Sequence, residues 1–234
     1  YTIVLGNVAP LAILPAATPK LPYDPIRDFS PISLVALSDY VLTVHPSLPA
    51  KNLRELLALA KANPGKLTYA SSGNLGAPHL AGELMNLLAK VKTVHIPYRG
   101  NGPAAIAVMS GESTMMFGTG PSVVPHANSG KLRALATTGL KRSMANLPAM
   151  NELLPGYDVT QWYGLLLPAG APKEIVDRLH KEIARAIANP KIAQLYTALG
   201  TQPLSTTPDE FLAFIKAEKD KWGKVIKTAN IKAD

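Results

Sequence analysis

After one apolar run after another, this chain sets down the same punctuation: "GNVAP" (6–10), "SGNLGAP" (72–78), "RGNGP" (99–103) and "GTGP" (118–121). In the last three, glycines lead into a proline at the start of a helical pattern. Proline suits that position because the N–H it lacks would have no intrahelical acceptor. The runs in front, "KLTYAS", "TVHIPY" and "TMMFG", read as strands, as do "VLTV" (41–44) and "KLRALATT". The helices between them are marked by spacing. In "NLRELLALAKA" the residues Leu53, Leu56, Leu57 and Ala60 share one stripe, and from Pro78 onward Leu80, Leu84, Leu87 and Leu88 repeat at helical intervals. Further helices are expected from Pro103 and Pro121. Strand and helix alternating through short connectors predict an α/β fold with a largely parallel sheet covered by helices.

The pattern changes near residue 164. "YGLLLP" reads as a buried strand, followed by a long helix from Pro172 to about Ala188 and a shorter one over "PKIAQLYTALG" that stops at Gly200. A last helix starts at Thr207-Pro208, with Asp209 and Glu210 in its first turn, and runs to about Lys227; acids first and lysines last both suit the helix dipole. These helices need a sheet supplied from elsewhere, and residues 1–40 are the source. Two lobes are therefore expected: 1–40 with 165–234, and 41–164. Residues 1–14 read as a strand followed by a loop, neither a signal peptide nor an anchor. Residues 1–40 offer about two strands and almost no helix, so a β-α unit ahead of "YTIVLG" is expected to be missing from the first lobe.

In an open parallel sheet, strand-to-helix loops gather at the carboxyl ends of the strands, where ligands sit. Each such loop presents first-turn N–H groups beside the positive end of a helix dipole, which suits an anion. Ser71, Ser72, Asn74, Asn101 and Thr119 add polar side chains. Simple turn punctuation is the alternative for any single loop. Neither a P-loop nor a dinucleotide fingerprint is present; "GNGPAA" and "GTGPSV" both lack the final glycine. Small carboxylates remain the best candidates, held by backbone N–H groups, hydroxyls and Arg99. A surface ion pair is the other reading of that arginine.

Catalytic patterns are thin. No G-x-S-x-G elbow exists, although Ser72 lies on a tight turn with His79 close behind, where His79 also reads as a capping or packing residue. The histidines His45, His79, His95, His126 and His180 form no metal-binding pair with clustered carboxylates. Asp24 and Asp28 read as a structural turn, and Trp162 and Tyr163 as packing. There are no cysteines, which removes thiol catalysis, thiolate metal sites and disulfides. The net charge of +8 is spread over helices beside acids, without a basic run interleaved with aromatics. Nucleic acid is therefore not the expected partner. An enzyme is not expected, nor any cofactor or metal.

Several stretches together resemble the Bug family, the extracytoplasmic solute receptors of tripartite tricarboxylate transporters. They are "YTIVLG", "KLPYDPIRDFSPISLVA", "YASSGNLGAPHLAGELM", "VHIPYRGNGPAAIAVMSGE", "MMFGTGPSVVPHANSGKLRALATTG" and "GLLLPAGAPKEIVDRL", in order along essentially the whole chain. The resemblance implies a two-lobed periplasmic-binding-protein fold (type II-like) with parallel or mixed sheets flanked by helices and a ligand cleft between the lobes. It implies a periplasmic, monomeric receptor that captures a dicarboxylate, tricarboxylate or aromatic acid by lobe closure and passes it to membrane components of the transporter. Ligand-binding residues are then expected at Gly6, Asn7, Ser71, Ser72, Gly73, Asn74, His79, Arg99, Gly100, Asn101, Gly118 and Thr119. Two departures stand out. The family's Pro-Gly-Gly loop is not present, and Gly118 stands where many relatives carry an acid after the Met-Phe of that strand. The second implies a plain organic acid rather than an amino acid. The rival readings are an enzyme acting on a carboxylate through Ser72 and His79, and a sensor subunit that signals the liganded state.

Overall fold

Strand β1 (Val4–Asn7) ends at an asparagine whose Oδ1 accepts the Ala9 N–H at 3.0 Å, and the chain turns at once into helix. A π-helical turn over Ala9–Ile13 leads into α1 (Leu14–Ala17). This corrects the reading of a loop here. Pro10 and Pro15 look like breakers in the sequence, but each occupies the first turn of its own helical segment, where no N–H is needed. So residues 1–40 contribute helix as well as strand, and the first of the four loops also enters a helix through its proline.

The computed structural model describes residues 2–18, 20–198, 200–229 and 231. The long strand β2 (Phe29–Val44) follows α1. Next come α2 (Leu53–Ala62), β3 (Thr68–Ser71), α3 (Ala77–Ala89), β4 (Val94–Pro97), α4 (Asn101–Met109), β5 (Met115–Thr119), α5 (Gly120–Asn128) and β6 (Arg133–Thr137). A 3-10 turn over Met150–Glu152 precedes β7 (Thr160–Pro168), α6 (Lys173–Ile187), α7 (Pro190–Ala198), β8 (Thr201–Pro203) and α8 (Pro208–Thr228). The chain divides into two units, Tyr1–Ser38 with Gln161–Asp234, and Asp39–Thr160. No described helix is long and apolar enough to cross a membrane.

In the first unit β1 runs antiparallel to β7 (Val4 opposite Leu166), and β8 runs antiparallel to β2 (Ala36 opposite Pro203). Ile32, Leu167 and Val176 form one buried cluster, with Leu165, Ile175, Leu179 and Ile183 packed around it. A second centre is polar at its heart. Trp162 and Trp222 both donate their indole N–H to Glu218 Oε2, at 3.0 and 3.2 Å, and Trp162 meets Phe211 and Phe214 edge to face. α8 starts with a capping box in which the Thr207 N–H reaches Glu210 Oε2 at 2.8 Å and the Glu210 N–H reaches Thr207 Oγ1. It packs against the helical turns of residues 9–17.

In the second unit the strand order is β6-β2-β5-β3-β4. β3 lies parallel to both β4 and β5, joined through α3 and α4. β2 and β6 are antiparallel members: Tyr40 stands opposite Thr119 and Val41 opposite Thr137, with an irregularity between Leu42 and Thr43. The sheet is therefore mixed where the alternation alone predicted a largely parallel one. β2 enters from the first unit and no crossover helix connects it to β5, so nothing forces it to run parallel. Val41, Ala70, Ala104, Ala105, Val108, Met116, Val123 and Leu132 form the core under α4 and α5.

Candidate functional site

β3, β4 and β5 are parallel neighbours, so their carboxyl ends lie on the same side of the second unit's sheet, and α3, α4 and α5 all start there. The loops are bonded to one another: Tyr98 N–H reaches the Ser71 carbonyl at 3.0 Å and Gly100 N–H the Ser72 carbonyl at 3.2 Å. Pairing of Ala70 with Met116 puts Ser72 and Gly118, two residues further along each strand, at the same level. The structure thus brings Ser71–Asn74, Arg99–Asn101 and Gly118–Thr119 to one edge. Gly6 and Asn7 belong to the first unit, where Asn7 caps the turn at Ala9.

Each residue's surroundings differ from what spacing alone suggested. Ser71 is fully buried, and its hydroxyl bonds the Gly73 N–H (3.1 Å), the Gly73 carbonyl (3.0 Å) and His95 Nε2 (2.6 Å). It shapes the loop from beneath. The N–H groups of Gly73, Leu75, Gly76 and Gly100 all have partners inside the loops, namely Ser71 Oγ, His79 Nδ1 and the Gly73 and Ser72 carbonyls. Ser72 is half-buried and Asn74 exposed. Arg99 is exposed, and its guanidinium has no hydrogen-bond or ion-pair partner among the described residues.

Asn101 was read as a loop residue; it is the first residue of α4, which starts two residues ahead of Pro103 because Gly100, at φ 111°, turns the chain into it. Its Oδ1 is buried without a hydrogen-bond partner among the described residues. Thr119 caps α5 by position and shares a 3.0 Å hydroxyl contact with Ser122. Gly118 is closed to any side chain, because a Cβ there would overlap Val123 Cγ1 and press on Met116 and Ser122.

His79, in the first turn of α3, turns toward the sheet. Its ring stacks on His95 with centroids 3.8 Å apart and planes 4° apart, and His95 stacks in turn on Tyr69 at 5.0 Å. Its Nδ1 accepts the Leu75 N–H at 3.1 Å. The Tyr69 hydroxyl donates to Glu83 one turn along α3, and Gly82 is needed because a Cβ there would overlap the Tyr69 ring. Burial, and then the neighbouring His79, push the His95 pKa down to about 4. Burial and the Glu83 carboxylate push that of Tyr69 far above its usual value.

His95, Tyr69, Leu75, Ser122 and Val123 were not read as site residues. The only sequence hint was that Tyr69 and His95 each occupy the second position of their strand, and parallel register makes them neighbours. The histidine-bonded serine is Ser71, which is fully buried, while His79 Nδ1 is engaged by Leu75. That arrangement offers a rigid polar rim at three helix starts. Their first-turn N–H groups lack intrahelical partners, and the exposed Arg99 stands in the loop that enters α4.

Known proteins resemble this chain in sequence and in fold. The profile of the family described as "Tripartite tricarboxylate transporter family receptor" matches residues 1–231. A Pseudomonas sp. (strain P51) protein, "UPF0065 protein in tcbD-tcbE intergenic region", is 35% identical over 212 residues, covering 89% of this chain and 63% of that protein. BugT of Bordetella pertussis is 32% identical over 236 residues, covering 99% of this chain and 72% of BugT. The chain therefore spans roughly two thirds of the length of these relatives. Among solved structures, one described as a periplasmic transporter superposes with a TM-score of 0.92 at 37% identity, covering 100% of this chain and 79% of that one. R. palustris Rpa4515 with adipate gives 0.92 at 29% identity, covering 99% and 79%. MatC from Rhodopseudomonas palustris with bound malate gives 0.85 at 27%, covering 96% and 79%. The fold is that of the periplasmic binding proteins, and with sequence and structure in agreement the chain belongs to the tripartite tricarboxylate transporter receptor family.

Proposed function

We propose that this chain is the solute-binding part of a periplasmic receptor that captures a small organic acid with two carboxylates and delivers it to the membrane components of a transporter. The observation that carries the reading is the rim of the second unit, where three helix starts gather at the ends of three adjacent strands and the exposed Arg99 stands in the loop between β4 and α4. The relatives that hold adipate and malate support it. A carboxylate takes the first-turn amides of α4 and α5, the Ser72 hydroxyl and the Arg99 guanidinium. The amides of Gly73 and Leu75 hold the loop in shape instead. Ser71 supports Gly73 from below, and Asn74, Gly100, Asn101 and Thr119 complete the rim. No chemistry is assigned: the fully buried Ser71 hydroxyl is taken up by Gly73 and the half-buried His95, and nothing in the geometry favours the reading of an enzyme working through Ser72 and His79.

Gly118 sets the class of acid. With Val123 filling the space beside it, no carboxylate stands there to meet a ligand ammonium group. Titration calorimetry against adipate, malate, succinate, citrate, aspartate and nicotinate tests the reading, with NMR of each mixture to detect turnover. The expected result is saturable binding of a dicarboxylate without turnover, succinate tighter than aspartate, and a loss of about tenfold or more in Arg99→Ala. Tighter aspartate would sink the specificity argument. Silence across the whole panel, or turnover of any acid, would sink the function itself.

A further inference from the structure

The loop between β3 and α3 is tied down at both ends by one continuous set of side chains. At its start, the Gly73 N–H donates to Ser71 Oγ, which bonds His95 Nε2. The His95 ring lies flat on the His79 ring, and at the far end of the loop His79 Nδ1 accepts the Leu75 N–H. Leu75 needs that tether. Its φ is 54°, in the left-handed region where a residue with a Cβ is crowded, and its side chain is buried. An amide N–H is only ever a donor, so Nδ1 must carry a lone pair. The proton of neutral His79 then sits on Nε2. Protonation of Nδ1 puts two donors face to face and removes the bond.

We propose that His79 is a positioning residue that holds the Ser72–Gly76 loop in its ligand-ready shape only while its Nδ1 is unprotonated, so that acid releases the loop and weakens ligand binding. This rests on the reading of the second unit's rim as a carboxylate site. Several titratable groups face His79 from the elements packed around it. From β4 comes His95, neutral above about pH 4 because burial and His79 disfavour its charge. From β3 comes Tyr69, its ring centroid 6.4 Å away and its hydroxyl donating to Glu83 on α3 itself. Beyond α3, the Tyr157 hydroxyl donates to the Ala81 carbonyl, with Asp158 next in sequence. Burial pushes both tyrosines up, away from this range. Imidazoles ordinarily change charge between about pH 8 and about pH 5, and in this stack it is His79 whose Nδ1 carries the Leu75 bond.

The inference has a sign that ordinary electrostatics does not share. A new positive charge near a carboxylate ligand would tighten binding as pH falls, whereas a released loop loosens it. The test follows the Leu75 amide by 15N NMR without ligand, and adipate binding by calorimetry, from about pH 8 to about pH 5. The proteins are the unmodified chain, His79→Asn and His79→Leu. Expected first is a Leu75 amide that moves with the same midpoint as the His79 ring. It should stay still in H79N, whose carboxamide oxygen accepts the same N–H and gains no proton. Expected next is adipate affinity that falls about tenfold per pH unit below that midpoint. That slope should vanish in H79N, while H79L, with no acceptor, shows a displaced Leu75 amide at every pH. A Leu75 amide indifferent to His79 overturns the latch. Affinity that is flat, or that rises with acid, overturns its link to binding. Failure of adipate to bind at any pH would instead withdraw the carboxylate reading and its affinity claim, with the ligand-free Leu75 titration still deciding the latch.

Discussion

His95 carries its charge preference into stability as well as into the loop. Its pKa falls from 6.5 to about 4 on folding because the ring is withdrawn from water and faces His79. Between those values the unfolded chain binds the proton that the folded chain refuses, so the contribution is complete above about pH 6.5 and is lost as pH falls toward about pH 4. Thermal unfolding of the unmodified protein and His95→Gln at about pH 7 and about pH 4.5 should show this. The unmodified protein is expected to lose more of its melting temperature than H95Q, by on the order of a few °C. An equal loss in both would mean the imidazole is already neutral-or-charged alike in the two states. Other single positions were readable in advance to different degrees. Gly118 was legible as a missing acid, but its reason, the methyl of Val123, was not. Ser71 was legible as polar and near the site, but whether its hydroxyl pointed to a ligand or to His95 depended on a strand brought in from elsewhere in the chain.

At the level of elements, α8 illustrates how one polar side chain organises an apolar surface. Glu218 is 6% exposed, yet it accepts indole N–H bonds from Trp162 on β7 and Trp222 on its own helix, and pairs with Lys221. Removing the acceptor strands two buried donors. Glu218→Leu is expected to cost on the order of 2–4 kcal/mol of stability in urea unfolding. Glu218→Gln, which keeps one oxygen acceptor, is expected to cost distinctly less; equal costs would mean that packing rather than the indole bonds decides. Helix starts were legible unevenly. Thr207 with Glu210, and Asn52 with Glu55, cap their helices through their own side chains, as contiguous signals should. Residues 9–17 were misread because prolines inside an apolar stretch signal a break unless the turn geometry is known. α4 started early because Gly100, not Pro103, makes the turn.

For the molecule as a whole, the +8 charge bears on how an anion arrives. The association rate of adipate is expected to fall severalfold between about 0.01 M and about 0.15 M salt, measured by stopped flow, with a much smaller change in the dissociation rate. A salt-independent association rate would show that the excess lysines are too dispersed to steer. The alternation of strand and helix, the amphipathic stripes and several of the proline-led helix starts were legible in the chain. Each is set by residues close together in sequence, whose preferences for dihedral angles and burial act without knowledge of the rest. The antiparallel course of β2, the stack of Tyr69, His95 and His79, the burial of Ser71 and the indole bonds of Glu218 were not. They depend on register between segments far apart in sequence, where a shift of one residue turns every side chain to the opposite face. Local preference leaves such pairings equally good on paper, and it is the packing of both units' cores that selects among them.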